Sequence, residues 1–211
     1  MRIKVKIAGV GGQGVQLIGK LLAESAFRAN LNVVQGVKYE PSTSGGLTVA
    51  DVTIVPEDEI IGFPYIETNP SILLVLAQRG WDEYKHIVGE NTIILADESN
   101  VKSLDLEIKH KAHYTIPFGK TAIELGTEKV MNVVALGFMA ELLDFKGNYI
   151  SDNLEEMHPH DSGDSTLLEV APEKFEESII DLSPQKFREV NINAFKRGYD
   201  MSMSLDIKDH L

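Results

Sequence analysis

Four glycines fall within the six positions Gly9-Val10-Gly11-Gly12-Gln13-Gly14. Gly9, Gly11 and Gly14 satisfy the spacing GxGxxG, which suits one kind of chemistry: holding an anion with backbone alone. One glycine permits a tight turn, one lets backbone approach a phosphate, and one lets the following helix lie close to the strand. The free N–H groups and partial positive charge of a helix start complete such a cradle. A second glycine-rich stretch, Tyr39-Glu40-Pro41-Ser42-Thr43-Ser44-Gly45-Gly46, follows the next candidate strand. Ser42, Thr43 and Ser44 supply hydroxyls, while Gly45 and Gly46 permit backbone conformations closed to other residues. Loops that leave carboxyl strand ends line one crevice, so the two stretches can face each other. The candidate binding set is therefore Gly9, Gly11, Gly12, Gln13 and Gly14 with Tyr39, Ser42, Ser44, Gly45 and Gly46.

What surrounds the first loop limits what it can hold. A dinucleotide enzyme places an acid on the ribose hydroxyls about 20 residues after the loop. No Asp or Glu occurs from Ser25 to Tyr39, and Glu40 stands beyond the strand in a proline-containing loop. That argues against NAD. A nucleoside-triphosphate loop needs Lys-Ser or Lys-Thr after a glycine, whereas Gly19-Lys20 is followed by Leu21. The remaining readings are a phosphate-compatible helix start without either machinery, or a close strand-to-helix turn with no ligand.

Other groups carry less. His158, His160, Asp161 and Asp164 could be drawn as metal ligands, but Pro159 separates the histidines and no helical frame organises them, so no metal site is expected. His110 and His113 have no serine or carboxylate partner fixed by spacing, and no catalytic triad is supported. Trp81 and Tyr84 read as a helix-to-body contact. No catalytic residue is assigned to this chain.

The elements that must position the loops alternate between strands and helices. "RIKVKIA" feeds the glycines as a strand, and Val15, Ile18, Leu22, Ala26 and Ala29 then share one helix face. "NVVQGVKY" and "GLTVADVTIV" read as the next strands, the latter alternating over Thr48 to Val55 until Pro56. "SILLVLA" and "NTIILAD" are short apolar runs of the kind covered on both faces, with "QRGWDEYKHIV" as a helix between them and "AHYTIPF" as a sixth strand. Lys129 to Phe145 is apolar nearly all round and predicts a buried helix. This pattern predicts an α/β fold: a three-layer, Rossmann-like domain with a mostly parallel sheet and helices on both faces. A boundary is placed in the polar "SDNLEEMHPHDSGDS", giving an α/β domain over 1–150 and an acidic loop with a C-terminal helical tail over 151–211 that packs on the same domain. In that tail Ser183 before Pro184 reads as an N-cap, with Phe187, Val190, Ala194 and Gly198 on the docking face and Phe195 beside it.

Composition excludes several classes. The 211 residues include no cysteine, so this chain cannot hold a cysteine-ligated cluster or zinc, form a disulfide, or attack through a thiol. Net charge is −12, concentrated in the last 61 residues, which hold 14 acids against 6 bases. No basic stripe is visible, which argues against nucleic acid. The longest apolar run, Val133 to Ala140, is far short of the roughly 20 residues that span a bilayer. The expectation is a cytoplasmic protein with no membrane partner.

Three stretches in order, "GVGGQGVQLIGKLLAESA", "YEPSTSGGLTVADVTI" and "NVVALGFMAELL", resemble the gamma subunit of 2-oxoacid:acceptor (ferredoxin) oxidoreductases, and the late "VNINAFKRGYD" resembles that family's terminal helix. "GVGGQGV" and the asparagine before "ALG" are the most specific parts. The resemblance implies a Rossmann-like subunit without a redox centre, within a complex that oxidatively decarboxylates a 2-oxoacid to acyl-coenzyme A. It implies alpha, beta and in some assemblies delta partner subunits, thiamine diphosphate and iron–sulfur clusters on those partners, and ferredoxin or a similar acceptor. This chain would shape the coenzyme A side of the assembly or a subunit interface. One departure stands out: the family's second loop reads YGPExRGG, and here Glu40 replaces glycine, Ser42 glutamate and Ser44 arginine. Lys20 and Lys38 are the candidate replacements for the lost positive charge. The alternative from another class is a free-standing nucleotide-binding or regulatory module of the same fold.

Overall fold

The strand signals assemble into one six-stranded mixed sheet in a computed structural model that describes residues 2–40, 45–144 and 168–205. The strands are β1 (Ile3–Val10), β2 (Asn32–Tyr39), β3 (Leu47–Val55), β4 (Ile72–Val75), β5 (Ile93–Asp97) and β6 (Ala112–Ile116), in the order β2-β3-β1-β4-β5-β6. Five of them run in one direction. Only β3 opposes its neighbours, pairing antiparallel with both β1 and β2. The α/β class with a mostly parallel sheet is therefore as the sequence predicts. The alternation over Thr48 to Val55 does not mark a solvent face, because all of β3 is buried, its polar side chains included.

One face of the sheet carries most of the helices. Helix α1 (Val15–Arg28) lies there with Val15, Ile18, Leu22 and Ala26 buried, as their spacing requires. Helix α4 (Met131–Asp144) shows no polar face because it is enclosed, and every residue from Met131 to Leu143 is buried. The other face is covered by α2 (Gln78–Tyr84), followed by a 3-10 turn over Lys85–Ile87, and by the segment 101–108. Trp81 and Tyr84 pack against the sheet there, which is the helix-to-body contact expected of them.

Two helices escape the sequence pattern. Helix α3 (Phe118–Glu124) starts within "AHYTIPF", where Pro117 ends the strand and Phe118 already lies in the helix core. Helix α5 (Pro172–Leu182) starts with proline at its first position and buries Phe175, Ser178 and Ile179, the i, i+3, i+4 rhythm that could have revealed it. Ser25 Oγ donates to Ser178 Oγ at 3.1 Å and fastens α5 to α1.

Ser183 is not the expected N-cap. Its hydroxyl accepts from Asn191 Nδ2 at 2.9 Å, and a 3-10 turn over Gln185–Phe187 precedes α6 (Arg188–Ser204). That extra turn rotates Phe187 off the docking face, leaving it 42% exposed while Asn191, Ala194, Phe195, Gly198 and Ser202 face inward. Phe195 stacks on Phe175 at 5.4 Å between centroids. Helices α4 and α6 cross at backbone contact: a Cβ at Gly137 would meet Phe195 O at 2.0 Å, and one at Gly198 would meet Val134 O at 1.9 Å. Small residues are what let the two axes approach so closely.

Candidate functional site: a seam of two glycine loops

The carboxyl ends of β1 and β2 lie at the same edge of the sheet, with the start of β3 between them. Gly9 pairs with Thr48 and Thr48 with Tyr39, so Tyr39, Thr48 and Gly9 form one row beneath the loops. Above that row Gly11 N–H donates to Gly46 O at 3.0 Å and joins the two glycine loops into one wall. The structure thus brings together Gly9, Gly11, Gly12, Gln13, Gly14, Tyr39, Gly45 and Gly46. Ser42 and Ser44 lie outside the described residues, as do His158, His160, Asp161 and Asp164.

The glycines do different work. Gly14 sits at φ +70° as the N-cap of α1, and a Cβ there would strike Asn132 Nδ2 at 2.2 Å, so fold alone demands glycine. Gly9 is enclosed by Gln13, Val15 and Leu76. Gly11 is unlike both. It is exposed, it has no positive φ, and a Cβ there would meet nothing closer than 3.9 Å. Packing leaves room for a side chain, yet the surface at the seam is bare backbone.

Gln13 contributes by bracing. Its Oε1 accepts from Val10 N–H at 2.8 Å and its Nε2 donates to Leu76 O at 2.7 Å, tying the end of β1 to the segment that leaves β4. Asn132, near the start of α4, donates Nδ2 to Gly14 O at 3.4 Å and accepts Val133 N–H at 3.0 Å. It couples the start of α1 to that of α4. The first three N–H groups of α1, at Val15, Gln16 and Leu17, have no intrahelical acceptor, since Ile18 N–H makes the first bond back to Gly14 O.

Charge at the mouth comes from neither candidate lysine, each of which reads equally as an ordinary surface residue. Lys20 is exposed on α1, beyond its first turn, and Lys38 Nζ sits over the Tyr65 ring at 4.6 Å. Neither is engaged at the seam. Arg79, the second residue of α2, reaches across instead and donates Nη2 to Glu40 Oε2 at 3.1 Å. Sequence reasoning passed over Arg79 because it is distant in sequence from both glycine loops and only the β4–α2 connection delivers it there.

A buried ion pair was also missed. Lys6 Nζ lies 2.5 Å from Asp51 Oδ1 in adjacent strands, with both side chains essentially inaccessible. Asp51 Oδ2 also accepts Ile66 N–H at 3.3 Å, and Lys6 Nζ stands 4.5 Å from the centroid of the Tyr84 ring. Burial pushes the Lys6 ammonium below its ordinary pKa and the Asp51 carboxyl above its own, each opposed by attraction to the other. Burial, with Asp51 nearby, pushes Tyr84 up to about 12, so its phenol stays neutral. The sequence signal was a lysine and an aspartate in two largely apolar strands.

At the far edge of the sheet His110 Nε2 and His113 Nδ1 are 3.0 Å apart, and His110 Nδ1 contacts Ile108 O at 2.7 Å. Burial, and then the neighbouring ring, lower the His113 pKa. Neither a hydroxyl nor a carboxylate among the described residues is hydrogen-bonded to either ring. Among the described residues no group of three or more His, Cys, Asp or Glu is placed to hold a metal ion, and no helix is long and apolar enough to cross a membrane.

The protein-family model described as pyruvate ferredoxin/flavodoxin oxidoreductase matches residues 4–201. The chain belongs to this family. The 2-oxoglutarate synthase subunit KorC of Methanocaldococcus jannaschii is 30% identical over 207 residues, covering 97% of this chain and 96% of the relative. The ketoisovalerate oxidoreductase subunit VorA of Methanothermobacter thermautotrophicus is 32% identical over 140 residues, which is 66% of this chain but 28% of the relative. Among solved structures, the gamma subunit of the keto/oxoacid ferredoxin oxidoreductase of Geobacter sulfurreducens superposes with a TM-score of 0.73 at 26% identity, covering 97% of this chain and 98% of that one. The 2-oxoglutarate:ferredoxin oxidoreductase of Magnetococcus marinus shares the fold at a TM-score of 0.75 and 19% identity; it covers 97% of this chain, which spans 31% of that longer one. The same fold thus occurs as a separate subunit and as part of a larger polypeptide.

Proposed function

We propose that this chain is the gamma subunit of a 2-oxoacid:ferredoxin oxidoreductase and that its glycine-loop seam forms the coenzyme A side of the assembled enzyme. The observation that carries the reading is Gly11: an exposed glycine at the join of two loops, where packing would admit a side chain. Bare backbone there suits close approach of a phosphorylated ligand or of a partner's main chain.

The chemistry divides accordingly. A chain without cysteine cannot ligate an iron–sulfur cluster through thiolates, so the clusters, and with them electron transfer to ferredoxin, belong to partner subunits. Thiamine diphosphate belongs there too. This subunit binds and orients, with Gly9, Gly11, Gly12, Gly14, Gly45 and Gly46 as the wall, Tyr39 at its foot, Gln13 as its brace, and Ser42 and Ser44 as hydroxyl donors on the second loop. The C-terminal helices α5 and α6 belong with the α/β body as an extension of it. Copurification from the native source is expected to recover a thiamine-binding subunit and a cluster-bearing subunit with this chain; a chain that remains alone at all concentrations overturns the reading.

A further inference from the structure

The Arg79–Glu40 ion pair spans the mouth of the seam, and two tie points place it there independently. Glu40 N–H donates to Leu47 O at 2.9 Å, which sets Glu40 at the base of the second loop, one residue along from the Gly46 carbonyl that takes Gly11 N–H. Arg79 follows closely on Leu76, whose carbonyl takes Gln13 Nε2 from the first loop. Both partners are therefore anchored within a few residues of the seam, on opposite sides of it.

The bond itself is weak. It is a single N–H···O contact, with side chains 48% and 58% exposed, and no other described residue accepts from the guanidinium. Exposed single-contact pairs contribute little to stability. A guanidinium matches a phosphate through two parallel hydrogen bonds, which is stronger than one contact to a carboxylate. Lys38, though exposed, is turned onto Tyr65, Lys20 lies beyond the first turn of α1, and Lys6 is buried with Asp51, so among the described cations near the seam Arg79 is the one paired across it.

We propose that Arg79 is the residue that selects a phosphorylated ligand at this seam, and that Glu40 holds the guanidinium at the mouth until a phosphate group replaces its carboxylate. This rests on the reading of the seam as the coenzyme A side. No covalent step is involved: one carboxylate leaves the guanidinium and one phosphate takes its place.

The test uses the enzyme purified with its partner subunits, with coenzyme A and inorganic pyrophosphate as probes. Arg79→Gln should weaken coenzyme A binding tenfold or more and raise the KM for coenzyme A while leaving the KM for the 2-oxoacid within twofold. Arg79→Lys should recover part of that loss. Glu40→Gln should tighten both probes several-fold, and the gain should vanish in the Arg79→Gln background. A merely structural pair would give losses in both single variants. Arg79→Gln binding coenzyme A within twofold of wild type, or Glu40→Gln binding it more weakly, overturns the proposal while leaving the seam as a coenzyme A site. An assembled wild-type enzyme whose coenzyme A site maps elsewhere overturns both.

Discussion

Replacing Asp51 with asparagine isolates the cost of a charge inside the sheet. At 2.5 Å from Lys6 Nζ the carboxylate contributes a gross attraction of about 7 kcal/mol at an effective dielectric of 20. Without it the ammonium keeps the neutral amide oxygen of the asparagine and the face of Tyr84, and no opposite charge. The variant can limit its loss by folding with Lys6 neutral, which from an ordinary pKa of 10.5 costs about 5 kcal/mol at pH 7 and about 2 kcal/mol at pH 9. That sets a ceiling, and destabilisation of about 3–5 kcal/mol is expected at pH 7, the range found when one partner of a buried pair is removed. The sign of the pH dependence follows. Lys6 has a depressed folded-state pKa, so its contribution to stability falls as pH falls and recovers as pH rises towards 10.5. The Asp51→Asn deficit relative to wild type should therefore shrink between pH 7 and pH 9. Urea unfolding followed by the fluorescence of Trp81, the single tryptophan and a buried one, reads this directly. A deficit under 1 kcal/mol at pH 7, or one that does not change by pH 9, refutes the reasoning. Lys6→Met combined with Asp51→Leu should be much less damaging than Asp51→Asn, since no charge is left uncompensated.

Gly198→Ala places a methyl 1.9 Å from Val134 O and must part α4 from α6, so a loss of about 3 kcal/mol is expected in urea unfolding, with Gly137→Ala similar and the pair less than additive. Gln13→Ala strips partners from Val10 N–H and Leu76 O and should cost about 1–3 kcal/mol, whereas Gln13→Glu, which keeps an acceptor for Val10, should retain a measurable part of that. Gly11→Ala meets nothing within 3.9 Å and should unfold within about 0.5 kcal/mol of wild type, yet weaken coenzyme A binding or subunit assembly. Loss of stability at that position with ligand binding and assembly intact would make the seam a packing feature.

Apolar patterning in the sequence located the six strands, α1 and α4: alternation or short apolar runs for the strands, a spaced apolar face for α1 of which Val15, Ile18, Leu22 and Ala26 are buried and Ala29 falls at the C-cap, and the unbroken apolar run of α4. It failed where local chemistry was ambiguous. "AHYTIPF" reads as one strand, although Pro117 ends it and a helix begins at Phe118, and Ser183-Pro184 has the form of a cap although its hydroxyl is committed to Asn191. The candidate wall was legible because glycine has few reasons to cluster. Arg79, Lys6 and Asp51 were not, since an ion pair between residues 39 or 45 positions apart is created by register and crossover, which spacing along the chain does not encode.

The missing ribose acid and the joined loops have one topological cause. In a sheet where β2 lies beside β1, a carboxylate at the end of β2 stands next to the first glycine loop. Here β3 is interposed, so the end of β2 is two strand spacings away, roughly 9–10 Å. An acid there would stand one strand too far to serve the same role. The antiparallel return of β3 brings the second glycine stretch back along the same edge, where Gly46 O meets Gly11 N–H. The one acid just beyond β2, Glu40, is turned to Arg79 instead. What resembles an incomplete dinucleotide site in the linear sequence is, once β3 is inserted, a wall made of two loops with the Glu40–Arg79 pair beside it.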